Sequence, residues 1–168
     1  KHARLASLPS PKIVLIGDSN LTYGVESSVL ERDLDKPVVN TGYMGSLGMR
    51  FMLNDAAPDI HKGDIVVISP VYEEFNTLLE GQGETLLEVL LARPASIQGV
   101  TTLEQMRQMT ISFPGLLQKD AKRYIISPLL HRIMGKDLTS WKLYGRHDFN
   151  NRGDLTGIPP QERPSHLP

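Results

Sequence analysis

Three short runs of apolar, largely β-branched residues decide which architecture this chain can adopt. They occupy residues 12–16, 37–40 and 64–69, and apolar residues recur at helical spacing over residues 23–34 and 46–57 between them. Continuous apolar runs of this length are typical of strands buried on both faces of a parallel sheet. The order strand, helix, strand, helix, strand predicts βαβ units with right-handed crossovers, and therefore an α/β fold.

The chain divides into a lead-in, one domain and a tail. Residues 1–11 are polar and contain two prolines, and residues 145–168 are polar and rich in Gly, Pro and Arg. A single α/β domain is predicted over residues 12–144. Its three predicted strands are fewer than the five or six of a typical sheet. We therefore expect either an unusually small fold or a chain that ends before the last strands of its domain.

The second half of the predicted domain is helical. Residues 84–93 have a helical pattern that ends at a proline, and residues 101–104 have the spacing of a capping box that opens another helix. Pro114 and Pro128 interrupt the pattern that follows, which predicts several short helices. A brief strand is predicted at residues 124–127.

Composition excludes several classes of function. The net charge is −1, so nucleic acid and anionic membranes are not expected partners. The chain has no cysteine, which removes disulfides, thiolate metal sites and cysteine nucleophiles. It contains no apolar stretch long enough for a transmembrane segment, and its beginning lacks the apolar region of a signal peptide. The sequence does not determine the compartment, and an extracytoplasmic location stays open if a leader was removed upstream.

Polar residues follow each predicted strand at the edge where parallel strands end. The three loops cover residues 17–20, 40–46 and 69–75. In an open α/β sheet, this edge forms the binding site. Ser19 lies near the start of a helix, where its hydroxyl is accessible, and the loop from Asn40 to Gly45 offers an amide and backbone N–H groups that suit an oxyanion. These features are typical of an acyl-transfer site that lacks only its base.

Two other interpretations of the first loop remain open. A Gly-Asp-Ser sequence after a strand is also a common turn composition. Glycine-rich loops at helix starts bind phosphates, but the chain has neither GxxxxGK[ST] nor GxGxxG. A nucleotide-binding or receiver domain is therefore not favoured, and no cofactor or metal site is predicted.

The blocks "IVLIGDSNLTYGV", "VVNTGYMGSLG" and "GDIVVISPVYEEF" resemble the SGNH hydrolase superfamily, also called GDSL-type esterases. The resemblance covers roughly residues 12–75. It implies a flavodoxin-like, three-layer α/β/α fold with a parallel sheet, incomplete at the C-terminus. By this resemblance Ser19 is the nucleophile and one oxyanion donor, Gly45 is the oxyanion-hole glycine, and Asp18 supports the serine turn.

The third block departs from the family pattern. Family members present Gly-x-Asn-Asp there, with the asparagine side chain in the oxyanion hole, whereas residues 69–74 read Ser-Pro-Val-Tyr-Glu-Glu. Tyr72 falls nearest to the asparagine position, and a tyrosine hydroxyl can donate a hydrogen bond to an oxyanion. Glu73 and Glu74 are predicted to face solvent. Asp148 and Asp154, in the segment DFNNRGDLTG, are interpreted as part of a solvated turn.

The second departure from the family pattern concerns the catalytic base that activates the serine. Family members carry Asp-x-x-His near the C-terminus, and none of the five histidines here lies in that pattern. His61 precedes the third strand and is expected at the opposite edge of the sheet, and His131 is interpreted as a packing residue. His147 is the candidate base, and His166 is a weaker one.

The sequence thus predicts a serine esterase or acyltransferase that acts on an ester, such as an O-acyl carbohydrate, through an acyl-enzyme on Ser19. The alternative is a catalytically inactive SGNH-like domain that binds a glycan or a partner protein. The missing asparagine and the missing Asp-x-x-His both favour this alternative. The acyl group, its acceptor and the oligomeric state are not determined by the sequence.

Overall fold

The computed structural model describes residues 1–75, 79–126, 132 and 149–154 of the chain. Its sheet has three parallel strands, β1 (Ile13–Gly17), β2 (Val38–Asn40) and β3 (Ile65–Ser69), in the order β2-β1-β3. Val14 of β1 pairs with Val39 on one side and with Val66 on the other. The prediction of an α/β fold with a parallel sheet is confirmed.

Helices follow each strand and fill the second half of the described chain. The α-helices are α1 (His2–Ser7), α2 (Ser19–Gly24), α3 (Ser27–Leu34), α4 (Met49–Ala56), α5 (Gly83–Ala92) and α6 (Leu103–Ala121). Short 3-10 turns lie at Gly45–Leu47, Ala57–Asp59, Tyr72–Phe75 and Pro94–Gly99, and a π-helical turn lies at Lys122–Ile126. Among these described helices, none is both long enough and apolar enough to cross a membrane.

The first half of the chain differs from the prediction in two places. The predicted lead-in contains helix α1, whose Leu5 is fully buried in the core. The single helix predicted over residues 23–34 is divided into α2 and α3, because Val25 is extended between them. Helical spacing alone did not show this break, because Leu21 of α2 and Leu30 of α3 pack in the same apolar cluster.

The second half differs in three places. Helix α6 continues through Pro114 instead of ending there. The proline ring is exposed, so the carbonyl that loses its N–H partner can bind water instead. The strand predicted at residues 124–127 is wrong in its described part, because Lys122–Ile126 continues α6 as a π-helical turn. The capping box is formed by Thr102 and Gln105, one residue later than predicted, and their side chains bond each other's backbone N–H groups.

The core lies on both faces of β1 and β2. One cluster contains Val14, Ile16 and Val39 of the sheet with Phe51 and Met52 of α4, and it also includes Leu5 and Leu86. The other contains Ile13, Leu15 and Val38 with Leu21 of α2. All five residues of β1 are buried, as the continuous apolar run predicts for a central parallel strand.

Strand β3 is less covered than its sequence predicts. Its four apolar side chains, from Ile65 to Ile68, are 37–49% exposed. In the described segments the outer edge of β3 pairs with no strand, and the strand packs chiefly against β1. The sheet is therefore open at β3, and the backbone groups along this apolar edge are available for pairing with another strand.

A buried ion pair joins the amino ends of β1 and β3. The Lys12 ammonium lies 2.9 Å from the Asp64 carboxylate, and their side chains are 1% and 0% exposed. Asp64 also accepts hydrogen bonds from the backbone N–H groups of Lys12 and His61. Burial opposes ionisation of Asp64, but these bonds, a bond from the Ser10 side chain and the one from Lys12 hold its pKa well below the ordinary value.

We expect Asp64→Asn to reduce the free energy of unfolding by about 3–5 kcal/mol at pH 7, because it leaves the Lys12 ammonium buried without a counter-charge. Since the pKa of Asp64 is depressed on folding, its stabilisation is present above about pH 4 and is lost as pH falls towards the folded-state pKa. Urea unfolding at several pH values measures both effects. Asp33→Asn is the control, because Asp33 forms an exposed pair with Arg32 and should cost less than about 1 kcal/mol. Equal losses for the two variants contradict the prediction.

A matched pair of isoleucines tests the difference between β1 and β3. Ile16 and Ile68 are register partners, but Ile16 is fully buried and Ile68 is 49% exposed. We expect Ile16→Ala to cost about 2–5 kcal/mol of unfolding free energy. Ile68→Ala should cost about 1 kcal/mol, because half of its surface is already in contact with water. Urea denaturation of both variants measures the difference, and a larger loss for Ile68→Ala would show that β3 is covered in solution.

Candidate active site at the carboxyl edge of the sheet

The three loops that follow the strands meet at Gly45. A methyl group placed on Gly45 would lie 3.6 Å from Cγ2 of Val71 in the third loop. The same methyl would lie 3.7 Å from Cβ of Asp18 in the first loop. Polar groups from separate parts of the sequence are thereby brought together at the carboxyl edge.

Ser19 is the first residue of α2 and is partly exposed. The Asp18 side chain is buried and accepts a hydrogen bond of 2.8 Å from the backbone N–H of Asn20, so it caps the helix and holds the turn. A methyl group on Gly17 would lie 2.3 Å from the carbonyl oxygen of Ser69, which explains why the strand ends in glycine. In the described part of the chain, the Ser19 hydroxyl has no hydrogen-bond partner.

The backbone N–H groups of Ser19 and Gly45 are free at the carboxyl edge of the sheet. Ser19 begins α2 and Gly45 begins a 3-10 turn, so neither N–H has an acceptor within its own helix. Among the described residues neither N–H has another acceptor either. The resemblance to SGNH hydrolases assigns oxyanion binding to these same two groups.

Asn40 lies at the predicted edge, but its side chain is fully used within the fold. It donates hydrogen bonds to the Leu21 carbonyl at 2.8 Å and to the Asp154 carboxylate at 3.1 Å, and it accepts one from the Gly42 N–H at 2.9 Å. Its polar atoms are thus occupied, and Asn40 is buried. Asn40 holds the shape of the second loop and offers no free donor to a substrate.

Asp154 is a structural residue that the sequence did not reveal. The prediction of a solvated turn is wrong for it, because it is buried and accepts hydrogen bonds from Ser27, Asn40 and Asn150. These bonds offset the cost of burying its carboxylate. More than a hundred residues separate Asp154 from Ser27 and Asn40, so no local pattern could have indicated the contact.

The third loop exposes Tyr72 and buries Glu74. Tyr72 is 82% exposed, whereas Glu74, predicted to face solvent, is 1% exposed. Oε2 of Glu74 accepts a hydrogen bond of 3.1 Å from the Val71 N–H, but Oε1 is buried without a partner. Burial raises the pKa of Glu74, the Val71 N–H partly offsets this effect, and the negative charge of Asp18 raises the pKa further.

The described histidines do not supply a base to Ser19. His61 lies in the turn before β3, at the amino end of the strand. His2 bonds the Asp55 carboxylate at 3.1 Å and the Tyr43 hydroxyl through Nε2, and its Nδ1 is buried without a partner. His131, His147 and His166 lie outside the described residues.

The described residues also form an apolar groove away from the carboxyl edge. An apolar groove of about 440 Å³ lies between α5, α6 and the turn Pro94–Gly99, and its lining includes Leu87, Met106 and Phe113 but no residue of the carboxyl edge. Within the described segments, no three His, Asp or Glu side chains are grouped as metal ligands.

Two glycines of the second loop make different predictions. We expect Gly42→Ala to destabilise the fold by about 1–3 kcal/mol, because the added methyl would lie 2.8 Å from Oγ1 of Thr22 and 2.9 Å from Oδ1 of Asn40. Gly45→Ala makes only ordinary contacts and should change the unfolding free energy by less than about 0.5 kcal/mol. Thermal and urea unfolding compare the two, and equal destabilisation would contradict this description of the loop.

No protein-family model, curated protein or solved structure matches the chain. The likeness to SGNH hydrolases therefore rests on the three sequence blocks.

Proposed function

We propose that the protein is an SGNH-like serine esterase or acyltransferase that acts on an ester through an acyl-enzyme on Ser19. One observation carries this proposal. Ser19 is partly exposed, and its hydroxyl has no partner in the described chain. It follows the central strand, and the free N–H groups of Ser19 and Gly45 lie at the same edge of the sheet. The strand order β2-β1-β3 with parallel pairing also suits a flavodoxin-like, three-layer fold.

The chemistry follows from these groups. Oγ of Ser19 attacks the ester carbonyl, and the electron pair of the carbonyl bond moves to its oxygen. The N–H groups of Ser19 and Gly45 donate hydrogen bonds to that oxyanion, and one such donor is worth about 3–4 kcal/mol in comparable enzymes. When the intermediate collapses, the bond from carbon to the alkoxy oxygen breaks, and this oxygen takes the proton that a base removed from Ser19, so that the alcohol leaves and the acyl group stays on Ser19. Water or a second alcohol then takes the acyl group, which gives hydrolysis or transfer.

The base that takes the proton from Ser19 is the remaining requirement. In the described segments no histidine is hydrogen-bonded to Ser19. His147 stays the candidate base that the sequence offers. A histidine is suited to this step because its ordinary pKa lies close to neutrality.

Exposed apolar side chains near the site favour a carbohydrate ester as substrate. Tyr72 and Phe75 of the third loop are 82% and 73% exposed, and Met44 of the second loop is also exposed. Aromatic rings of this kind present a flat apolar face and, in tyrosine, a hydroxyl. Such surfaces pack against the C–H faces of sugar rings while the acyl group enters the site.

The same side chains support a second candidate function, that of a non-catalytic domain which binds a glycan or a partner protein. Asn40 is occupied within the fold, and no described histidine contacts Ser19. A binding domain needs the exposed aromatic surface but not the nucleophile. The two functions are separated by whether Ser19 reacts.

We expect a fluorophosphonate probe to label the wild-type protein at Ser19, since such probes form a covalent bond with an activated serine held beside oxyanion donors. Ser19→Ala should abolish labelling. Ser28→Ala is the control and should leave labelling unchanged, because Ser28 belongs to α3 and bonds Glu26. Peptide mapping by mass spectrometry identifies the labelled residue. A folded wild-type protein without label, or a label that persists in Ser19→Ala, contradicts the hydrolase function.

A further inference from the structure

Glu74 is a buried carboxyl group that the proposed chemistry does not yet use. It lies in the third loop and bonds the Val71 N–H. Val71 and Asp18 both lie beside Gly45, where the three loops converge. One of its oxygens, Oε2, is bonded to the Val71 N–H, and the other, Oε1, is buried without a partner. A buried polar atom without a partner is costly, so it points to a group that bonds something the protein itself does not supply.

The surroundings of Glu74 oppose a negative charge on it. Burial removes the water that would solvate a carboxylate, and Asp18 is the charged group that acts on Glu74 within the described residues. Both effects raise the pKa of Glu74, and the single N–H of Val71 does not reverse them. Glu73 is its titratable neighbour in the sequence, but that side chain is exposed.

A second carboxylate here would also oppose catalysis. The oxyanion proposed at Ser19 and Gly45 develops negative charge close to Asp18, and an ionised Glu74 would repel it. A protonated carboxylic acid has the opposite effect, because its O–H is a hydrogen-bond donor. Ketosteroid isomerase is a known case in which a neutral carboxylic acid serves as an oxyanion donor.

We propose that Glu74 keeps a proton on Oε1 and donates it, as a hydrogen bond, to the oxyanion formed when Ser19 attacks its ester. This inference rests on the proposed function. Glu74 thereby has the role that the third-block asparagine has in SGNH hydrolases. Tyr72, which is exposed, does not have this role. The proton stays on Oε1 throughout: the Oγ–carbon bond forms, the electron pair moves to the carbonyl oxygen, and the Glu74 bond strengthens without proton transfer.

Glu74→Gln and Glu74→Ala separate this role from that of a base. Glutamine keeps a donor of nearly the same shape, so we expect Glu74→Gln to retain the fluorophosphonate labelling rate within about threefold. Alanine removes the donor and should lower the rate about 100- to 1,000-fold. Glu73→Gln is the matched control and should leave the rate unchanged, because its side chain is exposed.

The pH dependence gives a readout that a merely structural role would not change. The wild-type rate should fall at high pH as Glu74 ionises and loses its donor, and this fall should be absent in Glu74→Gln. The proposal is overturned if folded Glu74→Gln loses as much rate as Glu74→Ala, which indicates a base, or if folded Glu74→Ala reacts normally. Where Glu74→Ala does not fold, the glutamine variant and its pH profile decide.

Infrared spectroscopy tests the proton without any activity. A carbonyl band of a buried carboxylic acid should be present near pH 7 in the wild type and Glu73→Gln, and absent in Glu74→Gln. Its absence from the wild type overturns the proposal. A wild type that shows the band but does not react at Ser19 overturns the proposed function and the donor role, while it leaves the protonated state of Glu74 established. The two failures are therefore distinguishable.

Discussion

The buried pair of Lys12 and Asp64 fixes the relation between β1 and β3 on which the site depends. It joins the two strands at their amino ends, and from there the register runs without a break from Ile13 beside Ile65 to Gly17 beside Ser69. In a parallel pair, a register set at one end also determines where the strands finish at the other. The loops that carry Ser19 and Glu74 therefore leave the sheet side by side because of an interaction at its opposite edge.

The two strands give these loops different degrees of support. β1 is central and wholly buried, so the turn after it is held by the core and by the Asp18 cap. β3 is exposed and open at its outer edge in the described chain, so the position of Glu74 depends on local bonds between Val71 and Glu74. The support given to the turn that carries Ser19 and to the third loop therefore differs with the position of each strand in the sheet.

The sequence predicts the features that depend on local pattern and fails where distant contacts decide. The runs at 12–16, 37–40 and 64–69 form strands, because short continuous runs of β-branched residues between helical segments favour buried parallel strands over other secondary structure. The burial of Asp154 could not be predicted, because its partners lie far away in the chain. Glu74 and Tyr72 show the same limit within one turn: composition places both on a loop, but only tertiary packing determines which of them points inward.

The departures from the SGNH pattern are connected through charge. Asp18 is needed to cap the turn that presents Ser19, and its negative charge acts on whatever group the third loop places nearby. An asparagine there donates a hydrogen bond at any pH, whereas a glutamate donates one only while its proton is retained. Burial and Asp18 both raise the pKa of Glu74. Under the proposed donor role, this raised pKa is what lets a glutamic acid serve in place of an amide. Pairs of carboxyl groups with different roles, set by their surroundings, recur in active sites. Asp18 and Glu74 fit this description. The Asp18 carboxylate accepts a backbone N–H and builds the turn, whereas Oε1 of Glu74 is buried without a partner.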